Sequence, residues 1–254
     1  MRRNLTRFDS EESAPALSLL TFERRDPHRS HEYVAEQLRR AITLKLIVPG
    51  DRFPSERELA QTFGVGRATV QRAVHLLNSE GLVERRRGRN GGTFVVAPSN
   101  HPEWTDQLLT RIRENRNAIQ ETLDFRLALE PAVAARAASV REPSDLLQLQ
   151  QNVGLAAATT NDDDFTKLDA QFHMTIARAT YNRFFLEGVE RIRLILNDAL
   201  LVLPASSLWQ KRTLSEHERI YAAIENADPD AAWSAIHAHI QHTDSSIRAL
   251  FKML

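Results

Sequence analysis

The sequence predicts a mainly α-helical protein, in which an N-terminal winged helix-turn-helix precedes an all-α bundle of six or seven helices. Three observations lead to this fold class. Two short amphipathic segments flank the turn Gly64-Val65-Gly66, a basic glycine-rich hairpin follows them, and apolar residues recur at helical spacing from Trp104 onward. The length of 254 residues is sufficient for two modest domains.

The composition is that of an ordinary soluble globular protein. Hydrophobic residues make up 42% and charged residues 26%, and no window holds the roughly 18 consecutive apolar residues of a membrane span. The arginines near the N-terminus lack a following apolar segment, so we expect no signal peptide. The absence of cysteine excludes disulfides and thiolate metal ligands. We therefore expect a cytoplasmic protein without membrane contact.

The net charge of zero hides an uneven distribution along the chain. Residues 1–97 carry 17 Lys and Arg against 12 Asp and Glu, whereas residues 98–254 carry 16 against 21. A basic first part and an acidic remainder indicate that only the first part approaches a polyanion.

Changes in the residue pattern divide the chain into four segments. Residues 1–29 have no sustained periodicity and are predicted to form a mobile arm, and residues 30–97 hold the winged helix-turn-helix. Residues 98–103 are the predicted linker, and residues 104–254 are the helical domain. Within that domain the pattern predicts helices near 104–115, 117–140, 144–158, 163–180, 183–203, 213–226 and 229–251.

The first helix of the first domain is predicted from an apolar stripe at Val34, Leu38, Ile42 and Leu46. Turn-forming residues at 48–51 are expected to end it. Because this stripe would bury one face, the helix should pack against the two helices that follow.

Local signals also define the remaining elements of this domain. Ser55 and Glu58 have the spacing of a capping box, in which each side chain accepts a hydrogen bond from the other residue's backbone N–H. A third helix is predicted over 67–80, and Gly81 is expected to end it. The two strands of the wing are expected over 82–85 and 93–96.

The third helix opens with side chains that suit contact with DNA bases. Arginine can bridge O6 and N7 of guanine, glutamine can pair with adenine, and threonine can contact a phosphate or a thymine methyl group. Arginines of the preceding helix and the wing would bind phosphates, and wing glycines would allow close backbone approach. An arginine cluster alone is equally typical of a solvated surface, so this interpretation depends on the helix-turn-helix context. The predicted DNA-binding residues are Arg57, Arg67, Thr69, Gln71, Arg72, Arg87, Arg89, Gly91 and Gly92.

Three runs in the first domain carry a family resemblance, and they are Pro49–Ala60, Gly64–Arg67 and Leu76–Val83. Together they resemble the GntR-family winged-helix domain. In that family the arginines matching Arg57 and Arg67, the start of the recognition helix and a wing glycine contact the operator. The chain departs from the family at Gln71-Arg72, where Arg-Glu is common, so the operator sequence is left open. A homodimer on a near-palindromic double-stranded operator is the geometric expectation for such a domain.

One carboxylate and three histidines in the helical domain form a candidate metal-binding set. Asp169 and His173 lie four residues apart on one predicted helix and share a face. His217 and His239 lie on two later helices, and the set would suit Zn²⁺, Ni²⁺ or Mn²⁺ if the three helices converge. Periodicity does not show convergence, and ordinary core or surface roles stay open for each histidine. His237 is the competing histidine on the last helix.

A second resemblance rests on the runs Leu127–Ala137, Leu168–His173 with Asn182, Glu216–Ile220 and Asp228–His239. They resemble the FCD effector domain of the FadR subfamily over about residues 104–250. Metal-binding members of that domain use an Asp-x-x-x-His pair and two later histidines 22 residues apart, as Asp169, His173, His217 and His239 do here. The resemblance implies a divalent metal ion and a small carboxylate or sugar-acid effector.

Arg126 and Glu130, four residues apart, have two interpretations. They form either an i,i+4 ion pair of small energetic value or part of a pocket in which Arg126 holds a carboxylate bidentately, which the resemblance favours. Asn197 is another candidate polar group, and Arg191 and Arg193 are weaker candidates. The predicted effector-binding residues are Arg126, Glu130, Arg191 and Asn197.

The sequence thus predicts a transcription regulator, by family behaviour a repressor, whose operator affinity a small organic acid controls. One alternative is a metalloregulator in which the metal itself is the signal, and another is a purely structural metal with the effector elsewhere. A metal-dependent hydrolase fused to a DNA-binding head is the third. Because no HExxH and no nucleophile motif is present, we expect no enzymatic activity.

Overall fold

The protein is divided into two compact units, residues 1–99 and 100–254. Its structure, a computed structural model, describes residues 31–88, 91–96, 102–203 and 207–253. Three predictions fall outside the described residues, namely the mobile arm at 1–29, the wing residue Arg89 and the linker residues 98–101.

The first unit is a winged helix-turn-helix, as predicted. Val34, Leu38, Phe63 and Val74 are buried between its helices. The two strands pair antiparallel, with Val83 opposite Val95 and Arg86 opposite Gly92. The elements are α1 (His31–Thr43), α2 (Glu56–Phe63), α3 (Arg67–Ser79), β1 (Val83–Arg86) and β2 (Gly92–Val95).

The first helix ends at Thr43. This is earlier than expected, because the turn-forming residues that were predicted to end it lie at 48–51. Lys45 adopts a φ of 59°, and the backbone N–H of Leu46 donates to the carbonyl of Ala41 at 3.1 Å. These are features of a Schellman-type helix end. Leu46 is fully buried although it lies in the turn after the helix. The apolar spacing of the sequence therefore extends past the end of the helix.

The capping box that begins α2 is confirmed. The Glu58 backbone N–H donates to Ser55 Oγ at 3.3 Å, and the Ser55 backbone N–H donates to Glu58 Oε2 at 2.7 Å. Gly64 ends the helix at a φ of 65°, in the left-handed region that glycine adopts at least cost. The turn between α2 and α3 is therefore set by local chemistry at both ends of α2.

The second unit contains seven helices among its described residues. One apolar cluster joins four of them, with Leu108, Ile119, Leu196 and Phe251 among its members. None of the helices in the described part of the chain is long and apolar enough to cross a membrane. The helices are α4 (Pro102–Glu114), α5 (Arg116–Val140), α6 (Pro143–Ala158), α7 (Asp162–Arg178), α8 (Arg183–Leu201), α9 (Ser207–Glu225) and α10 (Pro229–Met253).

Helix starts in this unit agree with the sequence except at α9. Asn161 and Asn182 cap α7 and α8 by accepting backbone hydrogen bonds at 3.0 Å, at the predicted boundaries. Helix α9 begins at Ser207, about six residues before the predicted start at 213. Trp209 in this added segment packs edge-to-face on Phe165 of α7, with ring centroids 6.0 Å apart. Tertiary packing therefore accounts for the longer helix.

Replacing Ser55 by alanine removes the side-chain acceptor of the α2 capping box. We expect Ser55→Ala to lower the local stability of α2 by about 1 kcal/mol. Native-state hydrogen exchange of the amides at 59–63 would measure this change. Ser79→Ala is the matched control, because the Ser79 hydroxyl donates to the carbonyl of Leu76 within its own helix end. Equal protection in the two variants would contradict a stabilising role for the cap.

Candidate functional site

Helix α3 presents one polar face and one buried face. Val70 and Val74 are buried, whereas Arg67, Gln71 and Arg72 are exposed. Four-residue spacing puts Arg67 and Gln71 one above the other at the start of the helix. The predicted base-contacting side chains therefore point away from the core.

A carboxylate that sequence reasoning missed gathers these groups. Glu56, whose side chain is 16% exposed, lies at the start of α2 and accepts a hydrogen bond from Gln71 Nε2 at 2.9 Å. Arg67 Nη2 lies 3.7 Å from the same carboxylate, and Arg85 of β1 contacts it at 2.5 Å. Glu56 thus links the recognition helix to the base of the wing. No sequence pattern indicated this role, because its partners are 11 to 29 residues away.

The wing contains exposed cations and two constrained glycines. Arg86 pairs with Glu84 and lies over the ring of Phe94 at 4.3 Å, whereas Arg87 is exposed at the edge. A Cβ on Gly91 would lie 2.5 Å from the Arg86 carbonyl oxygen, so the turn itself requires glycine there. Gly92 has a φ of 155° and would meet the Arg52 side chain. Of the other predicted residues, Arg57 is exposed and Thr69 is half-buried.

The four predicted metal ligands converge in the second unit. Asp169 and His173 come from α7, His217 from α9 and His239 from α10, and one donor atom of each lies within 4.8 Å of all the others. Donor atoms about 2.1 Å from one ion lie at most about 4.2 Å apart, so closing onto an ion needs a contraction of about half an ångström. The competing histidine, His237, is outside this cluster and stacks on Trp233.

Two buried carboxylates orient two of the histidines. His173 Nδ1 lies 2.6 Å from Glu130 Oε2, and His239 Nδ1 lies 2.8 Å from Glu216 Oε2. Because an ionised carboxylate only accepts, each Nδ1 carries the proton and leaves the Nε2 lone pair for a metal.

The other ring nitrogens fit this assignment. The Nε2 atoms of His173 and His217 are buried and have no hydrogen-bond partner among the described residues. Three imidazoles and one carboxylate are a donor set that divalent transition metals accept. The residues present therefore fit a metal ion.

The charge states also suit metal binding. Burial lowers the pKa of His173, although Glu130 opposes it, and burial lowers the pKa of His217 well below its usual range. Burial alone would raise the pKa of Asp169, but the neighbouring charge of Arg193 is the largest opposing effect, and that pKa lies well below its usual range. Neutral imidazoles beside an ionised carboxylate are the forms that coordinate a cation.

Glu216 is likewise ionised. Burial would raise its pKa, but hydrogen bonds from His239 and His242 and from Arg212 outweigh burial and hold the pKa at about 2. His242 Nδ1 contacts Glu216 Oε1 at 2.6 Å, while Arg212 Nε donates to the same oxygen at 3.1 Å. Glu216 therefore remains a hydrogen-bond acceptor for His239 over the physiological pH range.

A partly enclosed cavity adjoins the cluster. Asp169 and His239 belong to both, so a molecule in the cavity lies beside the candidate metal position. The remaining lining residues are Arg126, Thr166, Arg193, Asn197, Leu200, Trp209 and Thr243.

Arg126 and Glu130 are an interior pair. Their side chains are 1% and 2% exposed, and Arg126 Nε donates to Glu130 Oε1 at 2.9 Å. The i,i+4 ion pair that was one interpretation of their spacing is therefore formed, but it lies in the interior, where the small energetic value of an exposed pair does not apply. Glu130 contacts both Arg126, which lines the cavity, and His173, which belongs to the metal-donor cluster. One carboxylate therefore connects the cavity to the cluster.

The structure brings Arg193, not Arg191, to the cavity. Arg191 is exposed on α8, whereas Arg193 is buried and donates from Nη2 to Asp169 Oδ2 at 2.9 Å. Two residues correspond to about 200° of helix rotation, so only one of the pair can face inward. The apolar periodicity of α8, with Ile192 and Leu196 buried, could have favoured Arg193. Asn197, which the sequence predicted as an effector-binding residue, also lines the cavity.

A winged helix-turn-helix with an exposed basic face, followed by a helical unit with buried metal-donor groups, defines a DNA-binding transcription regulator. The family described as "Bacterial regulatory proteins, gntR family" matches residues 31–95, and the FCD domain matches residues 121–242.

Relatives and a solved structure agree with this class. The Uxu operon transcriptional regulator of Escherichia coli is 30% identical, covering 84% of this chain and 85% of that protein. The HTH-type transcriptional regulator LutR of Bacillus subtilis is 27% identical, covering 80% and 94%. The structure of E. coli McbR/YncC covers 87% of this chain and 98% of its own with a TM-score of 0.50, and at 18% identity it supports the fold alone.

The chain belongs to the GntR family of bacterial transcription regulators, in the FadR-like group with an FCD domain. Its two domains and its relatives are those of regulators and not of enzymes. The hydrolase alternative therefore has no support from the domains or the relatives.

Replacing Glu130 or Glu216 by glutamine removes a carboxylate that orients a histidine of the candidate metal site. We expect Glu130→Gln and Glu216→Gln each to lower metal affinity by about 10- to 100-fold. Calorimetric titration with Ni²⁺ and Zn²⁺ would measure the change, and circular dichroism would verify the fold. Glu218→Gln is the matched control because Glu218 is exposed on the same helix as Glu216. Wild-type affinity in both test variants would contradict the orienting role.

Proposed function

We propose that this protein is a repressor whose operator affinity is controlled by a small organic acid bound at a divalent-metal site in the second unit. The observation that carries the proposal is that Asp169 and His239 belong both to the metal-donor cluster and to the lining of the adjoining cavity. A ligand there reaches the metal position and Arg126 together. We expect the protein to act in the cytoplasm, where its DNA is found.

The metal would be held by Asp169, His173, His217 and His239, with Zn²⁺, Ni²⁺ and Mn²⁺ as candidates. Bound there, a divalent ion supplies a Lewis-acidic position that attracts a carboxylate oxygen. The protein would contribute by keeping the imidazole rings neutral and by orienting their metal-donor nitrogen atoms. The hydrogen bonds from His173 to Glu130 and from His239 to Glu216 support that contribution.

Arg126 is the proposed anchor for the effector carboxylate. Its Nε is already held by Glu130, whereas its Nη1 is buried and has no hydrogen-bond partner among the described residues. A buried cationic donor without an acceptor is costly, and a ligand carboxylate would relieve that cost with a charge-assisted hydrogen bond. Glu130 holds the guanidinium in place before the ligand arrives. Asn197 is the proposed additional polar contact.

The first unit is proposed to bind a near-palindromic operator as part of a homodimer. Arg67 and Gln71, which share Glu56 in the free protein, would exchange this carboxylate for bases and phosphates. Exposed ion pairs are worth at most about 1 kcal/mol, so this exchange has a low cost. The remaining proposed contacts are Arg57, Thr69, Arg72, Arg87, Arg89, Gly91 and Gly92.

Effector and operator would be coupled by linkage. An effector that binds one arrangement of the dimer better than another shifts the population toward it, by no more than its difference in affinity. If that arrangement binds the operator less well, the effector releases DNA, and the operator reciprocally weakens effector binding.

Arg67→Ala tests the DNA-binding assignment. We expect loss of specific binding to an operator selected in vitro from random duplexes, by about 1–3 kcal/mol, because a base or phosphate contact is removed. A fluorescence anisotropy titration at fixed salt measures it, and circular dichroism verifies the fold. Arg113→Ala, at an exposed arginine of α4, is the matched control. Undiminished operator affinity in Arg67→Ala would count against the assignment.

A thermal-shift screen of small carboxylates and sugar acids tests the effector site. The protein is compared as stripped by chelator and as reloaded with each candidate metal. A ligand at one hundred times its Kd should add about 2.7 kcal/mol of stability, and only in the metal-loaded protein.

Two variants sharpen this test. Arg126→Ala and His173→Ala should lose the carboxylate response, whereas His237→Ala, outside the cluster, should keep it. A metal-loaded protein that releases operator DNA without any organic acid would instead identify the metal as the signal. Wild-type effector binding by both test variants would refute the proposed site.

A further inference from the structure

The cavity beside the metal-donor cluster contains a second buried arginine besides Arg126. Arg193 comes from α8 and Arg126 from α5, and the side chains are 2% and 1% exposed. Both residues line the cavity. Three of their polar atoms, Arg126 Nη1 and Arg193 Nε and Nη1, are buried without a hydrogen-bond partner in the described chain. A buried guanidinium is costly unless its N–H groups are satisfied.

Each arginine is held by one carboxylate that leaves some of its donors free. Arg126 uses Nε for Glu130, and Arg193 uses Nη2 for Asp169. A guanidinium has five N–H groups, so one such bond leaves the larger part of its donor capacity available. The two arginines belong to different helices, and both line the same cavity. They can therefore bind two separate acceptor groups of one ligand.

The charges around the cluster lead to the same conclusion. The buried Arg126 and Arg193 are balanced by Glu130 and Asp169. Glu216 is balanced by Arg212, whose side chain is 54% exposed. With neutral histidines, a divalent metal would leave a charge of +2 in a largely buried place. A monoanion removes half of this excess, whereas a dianion removes all of it.

We propose that the effector is a short dicarboxylate, with one carboxylate at the metal and Arg126 and the other held by Arg193. This inference rests on the proposed function and narrows its ligand class. Asn197 and Thr243, which line the same cavity, supply polar groups that suit the chain between the two carboxylates. Arg193 is then the residue that separates dicarboxylates from monocarboxylates.

Carbon-matched ligand pairs test the inference on the metal-loaded full chain. Calorimetric titration would compare malonate with propanoate, succinate with butanoate, and tartronate with lactate. We expect at least one dicarboxylate to bind about tenfold or more tighter than its partner, since a charge-assisted hydrogen bond to a buried guanidinium has at least this value.

The outcomes separate this inference from the proposed function. Equal or weaker binding of the dicarboxylate in all three pairs overturns the inference and leaves a metal-dependent monocarboxylate sensor. No binding by any of the six acids, with metal binding verified in the same samples, overturns the inference and counts against the proposed effector site as well.

Arg193→Gln tests the assigned residue, with Arg191→Gln as its matched control. The control changes the same residue type two positions earlier, on the exposed side of α8. We expect Arg193→Gln to reduce the dicarboxylate preference to less than about threefold while the monocarboxylate still binds, and Arg191→Gln to keep the full preference. An unchanged preference in Arg193→Gln overturns the assignment. Metal affinity is titrated separately, because Arg193 also contacts Asp169, and if this variant does not load metal the wild-type ligand pairs decide.

Discussion

The mutual neutralisation of buried charges around α7 is the constraint on which the second unit depends. Arg126 with Glu130 and Arg193 with Asp169 form ion pairs whose arginines are almost completely buried. Removing one partner from such a pair leaves a buried charge at a cost of about 3–5 kcal/mol. The Arg193–Asp169 pair joins α8 to α7, and the Glu130–His173 hydrogen bond joins α5 to α7. These three helices must therefore pack in a register that keeps both contacts. The same register gives α7 the orientation in which its donors face α9 and α10.

Two carboxylates of this network each serve two neighbours. Glu130 lies between Arg126 and His173, and Asp169 lies between Arg193 and the histidine cluster. A change in charge at the cavity arginines is therefore transmitted to the metal-donor groups through a single side chain. In a buried environment such coupling is strong because little solvent screens it. This arrangement gives a physical basis for mutual dependence between metal and anion binding.

The first unit uses a carboxylate in a different way. Glu56 collects Arg67, Gln71 and Arg85, but these partners are exposed, so their contacts are weak and exchangeable with a polyanion. The free protein thus keeps its basic residues arranged around the recognition helix without a large cost on release. Buried pairs hold the helical unit in one arrangement, whereas exposed pairs leave the winged unit ready to change partners.

Sequence alone determined what depends on neighbours along the chain. The Ser55 capping box, the asparagine helix starts and the shared face of Asp169 and His173 follow from spacings of three and four residues. Only the tertiary structure decided whether the two later histidines meet that face, because convergence depends on packing between helices distant in sequence. It also decided that Arg193 and not Arg191 is buried, since the rotation of α8 about its axis is set by the helices that cover it.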